Sequence, residues 1–146
     1  MIRYHAAWVL PIVEPPIRDG WVAVDRGRIV AVGLRGPADR QADGGIQEIE
    51  LGHVALMPGL VNAHTHLELS YMFDEVQPSA DFVSWIRSVV NMRRSQPDAR
   101  APEILDGVSR GIAESIASGT AIVGDISNTL VTFDPLTRSE LAGVVF

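Results

Sequence analysis

Residues 56–70 read Leu-Met-Pro-Gly-Leu-Val-Asn-Ala-His-Thr-His-Leu-Glu-Leu-Ser, an apolar run that starts from Pro-Gly and closes on two histidines one residue apart. Such a run predicts a buried strand whose C-terminal end leaves the core. Side chains at i and i+2 of a strand share a face, so His64 and His66 are expected to point the same way, with Glu68 next in the alternation. Two imidazoles so placed can grip one metal ion at about 2.0 to 2.1 Å per Zn–N bond. The blander reading is two polar residues at a strand end; the Pro-Gly start, the apolar run and the nearby carboxylate favour the metal.

The flanking segments set the fold class. Residues 2–10 alternate loosely, and Trp21-Val22-Ala23-Val24 and Arg28-Ile29-Val30-Ala31-Val32 flank Asp25-Arg26-Gly27, which predicts a hairpin with a positive φ at Gly27. Pro15-Pro16 and Asp19-Gly20 read as the turn before it, 37–45 as a polar loop and 46–51 as another strand. After the histidines, 71–78 reads as a loop and Ser79 as an N-cap. Residues 80–95 form an amphipathic helix with Phe82, Val83, Ile86, Val89 and Val90 at helical spacing, ended by Gln96-Pro97. A second helix opens near Pro102, sets Ile104, Leu105, Val108, Ile112 and Ile116 on one stripe and stops at Gly119. Gly107 and Gly111, four apart, either allow close helix-to-sheet packing or share a chance spacing. Residues 120–125 follow as a β-branched run, 127–129 as a loop, 130–138 as a short irregular or helical link interrupted at Pro135, and 139–146 as a third strand. Strand, helices, strand is a βαβ unit, so parallel pairing with a right-handed crossover is expected.

The run MPGLVNAHTHLELS resembles the first barrel strand of the amidohydrolase superfamily, metal-dependent hydrolases and deaminases whose His-x-His ends strand one of a (β/α)8 barrel. Asn62, where hydantoinase-like and dihydroorotase-like members carry Asp, makes NAHTHLE more similar to the deaminase and chlorohydrolase branch. HTHLELS together with VGDISN at 123–128 looks most like the aminofutalosine deaminase and chlorohydrolase-like sequences. The resemblance implies an α/β chain, the N-terminal part of a (β/α)8 metal-dependent hydrolase barrel preceded by a small β-sandwich segment. Residues 1–55 would be the incomplete β-sandwich segment and 56–146 the first β/α units of a truncated TIM-like barrel.

His64 and His66 match the family's first two metal ligands, for a divalent ion that is zinc first and iron second, since imidazole suits both. A catalytic metal takes about three protein ligands plus an open position, so two are too few. By resemblance the others are a histidine on strand five and an aspartate on strand eight, with a glutamate on strand five and a histidine on strand six moving protons. All would fall beyond Phe146, and no catalytic residue is assigned within the chain. Glu68 either lines the substrate pocket or orients a ligand, against the alternative of a solvated loop acid. Asp125 is expected to accept backbone N–H groups where its strand meets the following loop, and Asn62 to bond neighbouring strand-end backbone. The implied reaction is hydrolytic deamination of a purine-like or other aminated heterocycle. Within the same superfamily the rival is hydrolysis of a cyclic amide C–N bond or of a triazine C–Cl bond. The other rival is an inactive fragment, binding metal weakly without turnover and associating with a second copy through an exposed sheet edge.

Length enters here. A full barrel takes about 250 residues, and this chain has 146. Its apolar ending at 141–146 reads as a cut inside or just after a strand, and Met1 followed at once by strand-like sequence as a genuine start. A formal net charge of −6 argues against a nucleic-acid partner. The one basic cluster, Arg93-Arg94, suits a helix C-terminus. With no cysteine there are no disulfides, no zinc finger and no His-x-Glu/Pro-Cys-x-x-Cys deaminase site. Residues 4–11 are too short and proline-broken for a cleavable signal, and no apolar run reaches about 18 residues, so no membrane contact is expected and the cytoplasm is the default. His5 and His53 are expected in surface or strand-pairing roles, and Trp8, Trp21 and Trp85 in packing. The glycines form no phosphate-binding fingerprint.

Overall fold

The first unit is organised by a two-residue hairpin. In the computed structural model, which describes residues 1–36 and 45–146, β2 (Ile17–Asp25) turns into β3 (Arg28–Leu34) through Arg26 and Gly27, with φ of 48° and 75°. Positive φ at both central residues matches the right-handed twist of the flanking strands, as the sequence predicts. β1 (Ile2–Val9) pairs antiparallel with β2, while β4 (Gln47–Glu50) and β5 (Ala55–Leu56) run parallel to β1, giving the order β3-β2-β1-β4 with β5 also on β1. Ala6, Val9 and Val22 form its core with Ile17, Val24 and Leu56 against them. Asp19 and Gly20, expected in a turn, lie inside β2 instead; a Cβ at Gly20 would come within 2.9 Å of Val9 Cγ2, so packing rather than turning demands this glycine. Of the loop expected at 37–45, residues 37–44 lie outside the described residues.

His5 is buried and its Nε2 meets Glu48 Oε2 at 2.6 Å across the β1–β4 pair, a strand-pairing role and not a surface one. Trp21 packs on Gly33, sends its Nε1–H to the Leu34 carbonyl at 3.2 Å and carries the Arg3 guanidinium over its ring at 4.5 Å. Trp8 and Trp85, also expected to pack, are 44% and 38% exposed.

The second compact unit spans 59–146, the first ending at Pro58. It holds β6 (Leu60–Thr65), a 3-10 helix (Leu67–Met72), α1 (Phe82–Ser95), α2 (Pro102–Ala117), β7 (Thr120–Asp125), α3 (Phe133–Thr137) and β8 (Ala142–Val145). The sheet order is β6-β7-β8, all parallel, as a βαβ reading requires. α2 begins with Pro102 and is followed by Gly119 at φ 86°, both as expected. Its Ile104, Val108 and Ile112 stack at intervals of four against Leu67, Val123, Leu136 and Leu141. Pro135 does not break α3, because it stands in the first turn where its missing N–H is not needed.

Four expectations change. β6 starts at Leu60 and is not buried: Val61 is 64% exposed, because β6 is an edge strand and Val61, Ile122 and Val144 share the face turned away from the core. The stretch after His66 is a 3-10 helix before it is a loop. α1 starts at Phe82 and its cap is Asp81, not Ser79, with Asp81 Oδ1 accepting the Ser84 N–H at 2.9 Å. Bonds from the Ser84 hydroxyl and N–H hold the Asp81 carboxyl below the usual range. The apolar residues of α1, Phe82, Val83 and Ile86 among them, stay exposed. Finally, Gly107 and Gly111 admit the 3-10 helix and not the sheet: a Cβ at Gly107 would sit 2.5 Å from the Tyr71 backbone nitrogen, and one at Gly111 2.5 Å from Ser70 Oγ. Among the described residues no helix is long and apolar enough to cross a membrane.

That contact yields a test. Gly107→Ala forces α2 away from the backbone of the 3-10 helix, and urea denaturation is expected to show a loss of about 1 to 3 kcal/mol. An unchanged midpoint would mean the two helices are not held this close.

Candidate metal centre

β6 ends at Thr65, and His66 leaves the strand at φ −132°, ψ 69° to open the 3-10 helix. This bend brings the imidazoles of His64 and His66 together, with ring centroids 5.1 Å apart and planes at 78°. Both residues are exposed. The His64 N–H donates to Asn62 Oδ1 at 3.2 Å, the strand-end role expected of Asn62. His66 Nδ1 lies 2.9 Å from the Ile126 carbonyl oxygen. A carbonyl only accepts, so Nδ1 carries the proton, and in the neutral ring Nε2 keeps its lone pair. A hydrogen bond from the remote ring nitrogen is the usual way a metal-binding histidine is aimed.

Two buried carboxylates stand behind the rings. Asp125 accepts the Leu67 N–H at 2.7 Å and approaches the Thr65 hydroxyl at 3.1 Å through Oδ1, and accepts the Thr132 hydroxyl at 2.6 Å through Oδ2. It therefore does take a backbone N–H, but from the end of β6 and not from its own loop. Glu68 is 1% exposed. Its Oε1 accepts the Asn128 N–H at 3.0 Å and Nδ2–H at 2.7 Å, and its Oε2 accepts the Ser127 hydroxyl at 3.1 Å, the Thr129 N–H at 3.2 Å and the Thr129 hydroxyl at 2.6 Å. Burial pushes this carboxyl up, but the bonds from Thr129, Asn128 and Ser127 outweigh it and hold Glu68 below the usual glutamate range.

Glu68 is thus not the solvated acid offered as an alternative, nor does it continue the alternation of His64 and His66. The chain turns into the 3-10 helix after His66, and Glu68 is carried inward beneath residues 127–129. Of the residues that complete the arrangement, Ile126 and Ser127 fall within the VGDISN run, expected at the same rim as the histidines, while Thr129 and Thr132 are ones the sequence does not single out. For Thr129 and Thr132 the signal in the sequence is a cluster of donors after a strand, about as informative as any polar loop.

The donor set fits a zinc or iron ion in type, with two adjoining imidazoles at a strand end. It does not complete one: among the described residues no group of three or more His, Cys, Asp or Glu is arranged to hold an ion. His5 and His53 belong to the first unit. Beside His66 opens a cleft of about 360 Å³ whose walls include Leu69, Met72, Phe73, Trp85 and Val89.

Against known proteins, the model of the amidohydrolase family matches residues 55–144. A 5-methylthioadenosine/S-adenosylhomocysteine deaminase from Nitratidesulfovibrio vulgaris is 31% identical over 111 residues, covering 75% of this chain and 24% of that protein. The crystal structure of Helicobacter pylori aminofutalosine deaminase in complex with methylthio-coformycin superposes with a TM-score of 0.83 at 25% identity, over 100% of this chain and 35% of that one. Atrazine chlorohydrolase from Arthrobacter aurescens, complexed with zinc, superposes with a TM-score of 0.74 at 22% identity, over 99% and 35%. The chain spans about a quarter of the length of the curated relatives it matches.

The Glu68 environment makes acid stability specific. A carboxyl held low in the folded state contributes stability above its unfolded pKa of about 4.3 and loses it as pH falls through the lower folded value. Glu68→Gln is expected to cost about 1.5 to 3 kcal/mol at neutral pH, with the gap to wild type closing between about pH 4.3 and lower values. Urea midpoints across that range check this, and a constant gap would contradict it.

Proposed function

The chain belongs to the amidohydrolase family, and from that premise we propose that it is the first part of a zinc-dependent hydrolase that removes an amino group from a purine-like heterocycle. The observation that carries this reading is the pair of adjoining imidazoles, His64 and His66, at the C-terminal end of parallel strands, with the His66 ring aimed by the Ile126 carbonyl. Catalytic groups of barrel enzymes stand at that end of the strands. The deaminase relatives support the reaction type.

His64 and His66 would hold the metal, which when bound supplies Lewis-acid activation of water. His66 contributes by presenting Nε2 in a fixed direction, because the Ile126 carbonyl occupies Nδ1. Asn62 steadies the backbone at His64. The apolar side chains along the cleft beside His66 suit the flat face of a heterocycle. The departing nitrogen has to be protonated, and neither histidine can do that while its lone pair is committed. We assign that proton and the remaining ligands to other segments of the whole protein.

Two experiments test this reading, the first the metal site and the second the reaction. For the 146 residues alone, zinc binding without turnover is expected, with His64→Ala and His66→Ala each weakening zinc at least tenfold. Zinc retained by the double variant would refute the site. For the whole protein, ammonia release from methylthioadenosine is expected, reduced at least about 100-fold by either substitution. Chloride release from a chlorotriazine, or opening of a cyclic amide with no ammonia from adenine compounds, would place it elsewhere in the family.

A further inference from the structure

We propose that Glu68 is a positioning residue for His66, acting through the loop 126–129 to select the ring tautomer that leaves Nε2 free. The proposal takes from the reading above only that His66 offers Nε2 to a metal. Glu68 follows His66 by two residues yet does not touch its ring; every hydrogen bond found on its carboxylate comes from Ser127, Asn128 and Thr129. The residue immediately before these three, Ile126, is the one that meets His66.

The two chain segments are tied at alternating points. Asp125 receives the Leu67 N–H at 2.7 Å, the Ile126 N–H donates to the Thr65 carbonyl at 2.8 Å, the Ile126 carbonyl receives His66 Nδ1–H at 2.9 Å, and Glu68 gathers the next three residues. A peptide plane is rigid, so a carbonyl direction is set by the bonds on either side of it. On the β7 side Ile126 is held by Asp125 and by its own N–H. On the far side residues 127–129 are held by Glu68, with the Ser127 N–H also reaching the Phe146 carbonyl at 3.2 Å.

Without Glu68, the Asn128 and Thr129 N–H groups and three side-chain donors lose their common acceptor. Residues 127–129 then turn toward water to satisfy them. The Ile126 carbonyl swings with that turn, and His66 loses the partner that fixes its Nδ1 proton. A purely stabilising acid would lower the unfolding midpoint and leave the ring alone. A positioning acid changes the ring.

The test uses the 146-residue chain without metal, at a pH where imidazoles are neutral, and reads each histidine tautomer by long-range proton–nitrogen correlation. Wild-type His66 is expected as the Nδ1–H form. In Glu68→Gln it shifts to a mixture dominated by Nε2–H, while His53 does not change, and Thr129→Val produces a smaller shift in the same direction. Zinc alone, titrated into Glu68→Gln, is expected to bind about tenfold more weakly than to wild type. A folded Glu68→Gln with the His66 tautomer and zinc affinity of wild type overturns the proposal. If Glu68→Gln fails to fold, Thr129→Val decides: a shift at His66 supports positioning, and none overturns it. Failure of zinc to bind wild type while the tautomer still responds would support positioning and contradict the proposed metal-dependent function.

Discussion

Two carboxylates taken out of water join the C-terminal ends of β6 and β7, and the candidate centre rests on them. Asp125 and Glu68 are among the least exposed residues of the chain, and hydrogen-bond donors satisfy both. A buried carboxylate without such donors would cost several kcal/mol or take up a proton. With them it becomes a rigid node, because each donor is worth more to a charge than to a neutral acceptor. Asp125 fixes where the chain leaves β6, at Thr65 and Leu67, and Glu68 fixes where it leaves β7, at 127–129. Both histidines are exposed, and the His66 ring is held by the carbonyl of Ile126, which lies between Asp125 and the residues that Glu68 gathers.

The division of labour follows the burial pattern. α2 gives its stripe of Ile104, Val108 and Ile112 to one face of the sheet and lets the 3-10 helix approach through Gly107 and Gly111. That face is dense. The opposite face, with Val61, Ile122 and Val144, is open, as is the apolar side of α1. The rings of His64 and His66 belong to the strand end, where a rigid sheet presents groups to solvent, which is why a site there can be precise without being buried.

Much of this was legible in the sequence, and the parts that were not share a cause. The Asp25-Arg26-Gly27 hairpin, the α2 stripe and the β7 run each depend on residues close in the chain, and each is where periodicity or turn chemistry places it; the two histidines do meet, but through a bend at His66 and not through strand alternation. Asp81 displaced Ser79 as the cap of α1 because a carboxylate two residues on could reach the Ser84 N–H. Burial of β6 was misread because an apolar run shows hydrophobicity and not which neighbours cover it. The face taken by Glu68 departs from the expected one because strand alternation does not continue past His66, where the backbone turns. Its partners lie about sixty positions away, and no local pattern reports a contact at that distance.

Buried carboxylates hold the two strand ends as one unit. Amide hydrogen exchange on the Leu67, Asn128 and Thr129 N–H groups tests it most directly, since all three donate to Asp125 or Glu68 while lying outside the strands. Protection comparable to that of Val123 in β7 is expected. Exchange at the rate of an open loop would contradict it.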